Sequence, residues 1–422
     1  MINHSKMKIK RPRGTRDFTP EEMQKRNFVK CKIEEIYKKF NYSEIKIPTY
    51  EHLELFNLKS GDDIRDAMYV FRDKKDRELV LRPEATASVC RMFANDLRNM
   101  QKPLKFYYFD PMFRYERPQK GRYREFFQSG IELIGPKSPE SDAEVITVAY
   151  KALKNLNLNF ELEIGHLGIL RGLLNDLGID EGCQDELINV IDKKDVARLE
   201  NLVEHAVILD ILEMNGSKEI IEKAEILLKD YPAAISALSE LKEILLMLDI
   251  SGVEYVIDLG VARGLEYYTG MVFEMRVHDL GAQCQIAGGG RYDKLIELFD
   301  GPKTPAVGFA FGFDRVMDAC EIQGAEIPAS DVDFVVTAVD HSVLKIALKI
   351  AGNLRENFVT EFDLMNRKIG KVLDHADSIN AKFVVIVGPR EIREGKVSIR
   401  DMKTKEQKTI GIDELGSLLS LI

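Results

Sequence analysis

The sequence predicts a multidomain protein of α+β and α/β character, on three observations. Strand-like and helix-like runs mix through roughly the first 165 residues and again from 251 to about 325. Between them lies a stretch rich in Leu, Ile, Glu, Lys and Ala and poor in strand signals. Beyond IQGAEIPASDVD, where Gly, Pro, Ser and Asp cluster as in a linker, strands and helices alternate regularly. A chain of 422 residues can bury two or three separate cores. The expected division is a discontinuous core of 1–167 plus 251–325, a helical insertion at 168–250, and a carboxyl-terminal α/β domain at 331–422.

The elements can be justified in chain order. A first helix is expected at about 20–40, with Thr19 as N-cap and Pro20 at the first helical position, where a missing N–H costs nothing. KFYYFDPMFRYER and REFFQSGIELI read as two extended runs. In the helix-rich stretch, Ile235, Leu238, Leu241, Leu245 and Leu248 recur at helical spacing. Strand-like sequence resumes at VEYVIDLG, and a later helix carries Phe313, Val316, Met317 and Cys320 on one face. In the last part FVVTAV is a strand. SVLKIALKIAGNLREN is an amphipathic helix with Val343, Ile346, Ala347, Ile350 and Leu354 inward. A helix near 367–379, the buried strand KFVVIVG and a short hairpin follow, which implies a small domain with a mainly parallel sheet.

Composition excludes several classes. Hydrophobic content of 45% and charged content of 31% are ordinary for a globular protein. No run approaches the roughly 18 apolar residues of a membrane span, and MINHSKMKIKRPRG has no apolar core of a secretory signal. Five cysteines, at 31, 90, 183, 284 and 320, form no CxxC and no zinc-finger spacing, so no metal site is expected. They read as reduced thiols, mostly packed in cores, of a cytoplasmic protein. The net charge of −9 argues weakly against nucleic acid as a partner, but binding depends on local patches.

The segment MFRYERPQKGRYREFFQSGIELIG carries the most chemistry. Side chains two apart share a strand face, which groups Arg114 with Glu116, and Gln128 with Glu132. Paired as a hairpin, the two runs place four polar groups on one floor; a hairpin with one wet face has the same pattern without a function. Residues 117–124 hold Arg117, Lys120, Arg122 and Arg124 with no acid among them, a basic patch suited to a nucleic-acid backbone or to water. LRPEATA sets Glu84 and Thr86 where they could hold an ammonium group. In GVARGLEYYTGMVFE, Arg263 precedes Tyr267 and Tyr268 and suits a phosphate or carboxylate. IAGGGRYDKLIELF reads either as a phosphate cradle at a helix start or as bare strand backbone beneath a ligand. It fits neither a dinucleotide fingerprint nor a P-loop. Arg315 falls in the first turn of a helix, where a cation opposes the dipole; neighbouring Asp314 or a bound polyphosphate would offset that.

The order of these segments resembles the class II aminoacyl-tRNA synthetases, and the histidine-specific family in particular. FNYSEIKIPTYEHLELF, MFRYER with the following strand, and GFAFGFDRV resemble the three class motifs, the first of them a dimer-interface element. RGLEYYTG and AGGGRYD resemble the two histidine-specific signatures. The resemblance implies an antiparallel sheet flanked by helices, an anticodon-binding unit at 331–422, a homodimer, and L-histidine, ATP with Mg2+, and tRNA(His) as ligands. It implies that Glu84, Ala85, Thr86 and Gln128 form the amino-group pocket, and that Glu132 and Tyr268, with Tyr267 beside them, grip the imidazole. Arg114 and Arg263 would flank the α-phosphate; Arg263 would also border histidine. Glu116 would meet adenine, and Arg315 adenine and the outer phosphates. Arg117, Gln119 and Arg122 would face the tRNA acceptor end or the nucleotide. Ala85, Phe127 and Asp314 depart from the family's usual glycine, histidine or tyrosine, and glutamate. The rival reading is the histidine-binding regulatory subunit of ATP phosphoribosyltransferase, whose members tend to lack a unit like 331–422.

Overall fold

The computed structural model describes residues 9–60, 67–115, 122–192, 198, 205–260, 267–327 and 332–415. They form two compact units: one from the residues up to Asp17 and from Val29 to Glu326, the other from Phe18–Phe28 and the residues beyond. Helix Pro20–Lys39 begins at a capping box. Thr19 Oγ1 accepts from the Glu22 N–H at 3.3 Å, and the Glu22 carboxylate accepts from the Thr19 N–H at 2.6 Å.

The larger unit contributes strands β1 (Ser43–Glu44), β2 (Tyr50–His52), β3 (Val70–Arg72), β4 (Glu78–Leu81), β5 (Leu104–Phe113), β6 (Glu125–Ile134), β7 (Glu161–His166), β8 (Asn215–Gly216), β9 (Val256–Asp258), β10 (Met271–Arg276), β11 (Gln285–Arg291) and β12 (Ala306–Gly312). Nine of them form one sheet in the order β1-β5-β6-β12-β11-β10-β7-β9-β8, and β2-β4-β3 form a small separate sheet. From β5 to β7 every pairing is antiparallel. The two extended runs of the sequence are thus β5 and β6, paired in full register from Leu104–Ile134 to Phe113–Glu125. The triple glycine 288–290 lies inside β11, not at a helix start, so the helix-terminus cradle is not what these glycines build.

The described residues of 167–250 are mainly helical, including Leu167–Asp176, Glu181–Asp192, Ala206–Leu212, Glu219–Leu228 and Pro232–Ile250. Helix Pro232–Ile250 packs on Leu167–Asp176 and on Pro139–Lys154. The first contact is close because Gly172 has no side chain: a Cβ there would fall 2.6 Å from the Ala234 backbone nitrogen. Leu238, Leu241, Leu245 and Leu248 are buried as their spacing predicts; Ile235 is half-buried, since Ala234 and Ala237 take the central stripe.

The smaller unit holds β13 (Phe334–Ala338), β14 (Thr360–Phe362), β15 (Phe383–Val387), β16 (Lys396–Asp401) and β17 (Gln407–Gly411), in the order β14-β13-β15-β16-β17. Alternate residues feed opposite faces. Phe334, Val336, Val385 and Val387 meet helix Leu344–Leu354, whereas Val335, Val384 and Ile386 meet helix Ile369–Ser378. The expected mainly parallel sheet is half right. β14-β13-β15 are parallel, and the terminal hairpin adds two antiparallel pairings. Ile346, expected inward, is exposed, and Ala351 faces the core with Ala347, Ile350 and Leu354.

Among the described residues no helix is long and apolar enough to cross a membrane. The cysteines are less buried than expected: Cys90 and Cys320 are in cores, Cys284 is intermediate, and Cys31 and Cys183 are exposed.

Candidate active site

The floor of the main cleft is the middle of the antiparallel sheet. On β6, Gln128 and Glu132 stand four residues apart, opposite Gly312 and Gly308 of β12. Bare backbone at Gly308 is required, because a Cβ would collide with the Glu132 carboxylate and lie 2.6 Å from the Ile131 carbonyl oxygen. Glu132 is 1% exposed, so its oxygens need donors. Thr86 Oγ1 donates to Oε1 at 2.8 Å, and the Tyr292 hydroxyl donates to Oε2. Burial, reinforced by Glu132, pushes the Tyr292 phenol well above its ordinary range, so it remains a neutral donor. Tyr108 is shifted the same way by burial.

Beside this carboxylate, the turn after β4 brings in Glu84. Its oxygens accept from the backbone N–H groups of Thr86 at 2.8 Å and Ala87 at 3.0 Å, at the start of helix Thr86–Met92. This side-chain lock orients Glu84 and Thr86 together. Tyr267 and Tyr268 close the same end. Their ring centroids are 4.8 Å apart, and Tyr267 meets Tyr292 edge-on at 5.9 Å. Gln128 Oε1 is buried without a hydrogen-bond partner among the described residues. An unpartnered buried acceptor is costly, and a ligand N–H would satisfy it.

Arginines mark the other end. Arg114 follows β5, donates from Nε to the Pro83 carbonyl at 3.0 Å, and sits 5.2 Å from the Phe126 ring centroid. Behind it, fully buried Arg82 donates to the carbonyls of Ile47 (2.7 Å) and Pro111 (2.9 Å) and pairs with Asp110 at 3.0 Å. Burial pulls the Arg82 guanidinium below its ordinary value, and Asp110 opposes that. Arg315 stands in the first turn of helix Phe313–Ile322, as its sequence position predicts. It donates to the Gln285 carbonyl at 2.7 Å and to Gln283 Oε1 at 3.1 Å. Asp314 turns elsewhere, accepting from the Phe127 N–H at 2.9 Å and pairing with Arg16. Arg16 in turn stacks 3.5 Å from the Tyr123 ring centroid.

The resulting cleft has a volume of about 280 Å³. It brings together Glu84, Thr86, Arg114, Arg122, Gln128, Tyr267, Tyr268 and Arg315 from five separate stretches of chain. Ala85 is fully buried behind the lining, and Glu132 lies just beneath Thr86 and Gly308. Arg263, Glu116, Arg117 and Gln119 lie outside the described residues. Sequence reasoning missed Tyr292, Tyr108, Arg16 and Gln283 as parts of the site. Only Tyr292 had a local signal, its place directly after the glycine run and Arg291. Among the described residues no group of three His, Cys, Asp or Glu could hold a metal ion.

Known proteins resemble this chain along nearly its whole length. The family profile described as histidyl-tRNA synthetase matches residues 14–316, and that of an anticodon binding domain matches 333–420. The chain is 46% identical over 415 residues to a histidine–tRNA ligase of Methanocaldococcus jannaschii, covering 96% of this chain and 98% of that one. A solved histidyl-tRNA synthetase from S. aureus superposes with a TM-score of 0.74 at 28% identity, covering 97% and 99% of the two chains. One from a Nostoc species gives 0.83 at 25% identity, over 99% and 100%. With the profile spanning most of its length and a relative this similar along nearly all of it, the chain belongs to the histidyl-tRNA synthetase family.

Proposed function

We propose that this cleft activates L-histidine with MgATP and passes it to the 3′ end of tRNA(His), the reaction of a histidine–tRNA ligase. The observation that carries the reading is the polarity of the site. A buried carboxylate with hydroxyl and phenol neighbours occupies one end, and three arginines occupy the other. An imidazole presents a donor on one nitrogen and, when neutral, an acceptor on the other. Glu132 takes the donor, and Tyr268 serves the second nitrogen. Glu84, Thr86 and the unpartnered Gln128 oxygen receive the α-ammonium group, with Ala85 packed behind them.

Arg114 binds the α-phosphate, and Arg263 reaches it from the other side. Histidine's carboxylate oxygen attacks the α-phosphorus, the bond to the bridging oxygen breaks, and pyrophosphate leaves with its electron pair. Arg114 and Arg263 hold the charge that develops on the non-bridging oxygens, so this step is positioning plus charge stabilisation. Arg315 and Arg122 hold the outer phosphates, and Glu116 meets the adenine amino group. The lining carboxylates Glu84 and Asp314 are already engaged by backbone N–H groups and Arg16. Mg2+ bound to the nucleotide would screen its phosphates. A ribose hydroxyl of the tRNA then attacks the activated carbonyl and AMP departs.

Arg117 and Gln119 contact the acceptor end, and residues 331–422 contact the tRNA elsewhere. Between 340 and 410 this part carries 14 Lys/Arg against 10 Asp/Glu, a basic balance inside an acidic chain. The enzyme works in the cytoplasm as a homodimer, through the segment FNYSEIKIPTYEHLELF. The test is pyrophosphate exchange into ATP, run separately with each amino acid. Exchange with histidine alone is expected. Histidine binding without exchange would identify a regulatory subunit instead and overturn the proposal.

A further inference from the structure

Gln283 joins the two arginines at the nucleotide end of the cleft. It closes the 3-10 turn His278–Gln283, where Gly281 adopts φ +67° and turns the chain back toward β11. Its side-chain oxygen accepts from Arg122 Nε at 3.2 Å and from Arg315 Nη2 at 3.1 Å. Arg122 comes from the β5–β6 hairpin, 161 residues earlier in the chain, and Arg315 from the helix after β12, 32 residues later. Gln283 itself is half-buried. Two guanidinium groups drawn to one point repel each other, and something must hold them there. A carboxylate would do so more strongly, but it would cancel the charge a polyanion needs. An amide oxygen binds both donors and leaves their charge intact.

We infer that Gln283 is a positioning residue for polyphosphate binding: a neutral tether that holds Arg122 and Arg315 together beside the outer phosphates of the nucleotide without adding a counter-charge to either. The inference rests on the assignment of these arginines to the nucleotide. It adds that the charge type at position 283, not its bulk, sets nucleotide affinity. The turn that carries Gln283 leads directly into Gln285, whose carbonyl also accepts from Arg315, so the tether and the strand edge fix the same guanidinium from two sides.

Two near-isosteric variants separate charge from shape. Gln283→Glu puts an anion between the arginines and should raise the KM for ATP about tenfold, two partly screened ion pairs now competing with the phosphates. Gln283→Met removes the acceptor without adding charge and should raise it only a few-fold. In both, histidine affinity measured by calorimetry without nucleotide should match the wild type, and melting should show both variants folded. Adding salt should narrow the gap between Gln283→Glu and wild type, since screening weakens the new pairs. Equal effects of Glu and Met, or an unchanged KM in Gln283→Glu, would overturn the tether while wild-type exchange upholds the enzyme. A wild-type chain with no histidine-dependent exchange would overturn both.

Discussion

Thr86 donates its hydroxyl to Glu132 Oε1 at 2.8 Å across 46 residues of sequence. The contact joins the loop that carries Glu84 to the strand that carries Gln128, so the two halves of the proposed amino-acid pocket share one hydrogen bond. Replacing Glu132 by Gln removes the charge but keeps the shape. Hydrogen bonds to charged groups are worth about 1.5–3 kcal/mol, so the KM for histidine should rise roughly 10- to 100-fold. The KM for ATP should change little. Steady-state exchange kinetics with each substrate varied in turn would check this; an equal rise in both would argue against a histidine-specific role.

Gly308→Ala probes the same carboxylate from the strand beside it. The added methyl would displace Glu132 from its two hydroxyl donors. Overpacking of this kind costs about 1–3 kcal/mol of stability. Histidine binding should fall by a larger factor than stability alone explains, measured by calorimetry below the melting temperature.

Arg82 and Asp110 form a buried pair behind Arg114. Removing one partner strands the other, which costs about 3–5 kcal/mol. Asp110→Ala should therefore lower the denaturant midpoint markedly. Arg82 also precedes Pro83, whose carbonyl holds Arg114 Nε. The surviving folded fraction should thus show a reduced rate of adenylate formation in single-turnover experiments.

The cysteines offer a test of burial. Cys31 and Cys183 are exposed, and the hydrogen bond to Asp180 holds the Cys183 thiol above its usual range. Burial pushes Cys320 up to about 11. With a thiol reagent near neutral pH, Cys31 should label first and Cys183 more slowly, since the thiolate is the reactive form. Cys90 and Cys320 should label only after denaturation. Mass spectrometry of a time course would check the order.

These residues also mark what a sequence can disclose. Period-two alternation correctly groups Gln128 with Glu132, since both lie on one regular strand. Helix start signals correctly place Thr19 as a cap and Arg315 in a first turn. What the sequence could not disclose depends on contacts between distant segments. Nothing local to Arg16 points to Asp314, nearly 300 residues away, and nothing local to Gln283 points to Arg122. The triple glycine had two readings, and only strand pairing with β10 and β12 chooses between them. Ile346 is exposed and Ala351 buried because the helix's inward stripe runs through Ala347, Ile350, Ala351 and Leu354.

The central claim is that one cleft holds an imidazole at Glu132 and a reacting phosphoryl group at Arg114. The most direct measurement is a crystal structure of the protein with a non-hydrolysable histidyl-adenylate analogue. The account predicts the imidazole within hydrogen-bond reach of Glu132 and Tyr268, with the guanidinium groups of Arg114 and Arg263 on opposite sides of the phosphate position. An analogue bound elsewhere, or the two guanidinium groups turned away into solvent, would contradict it.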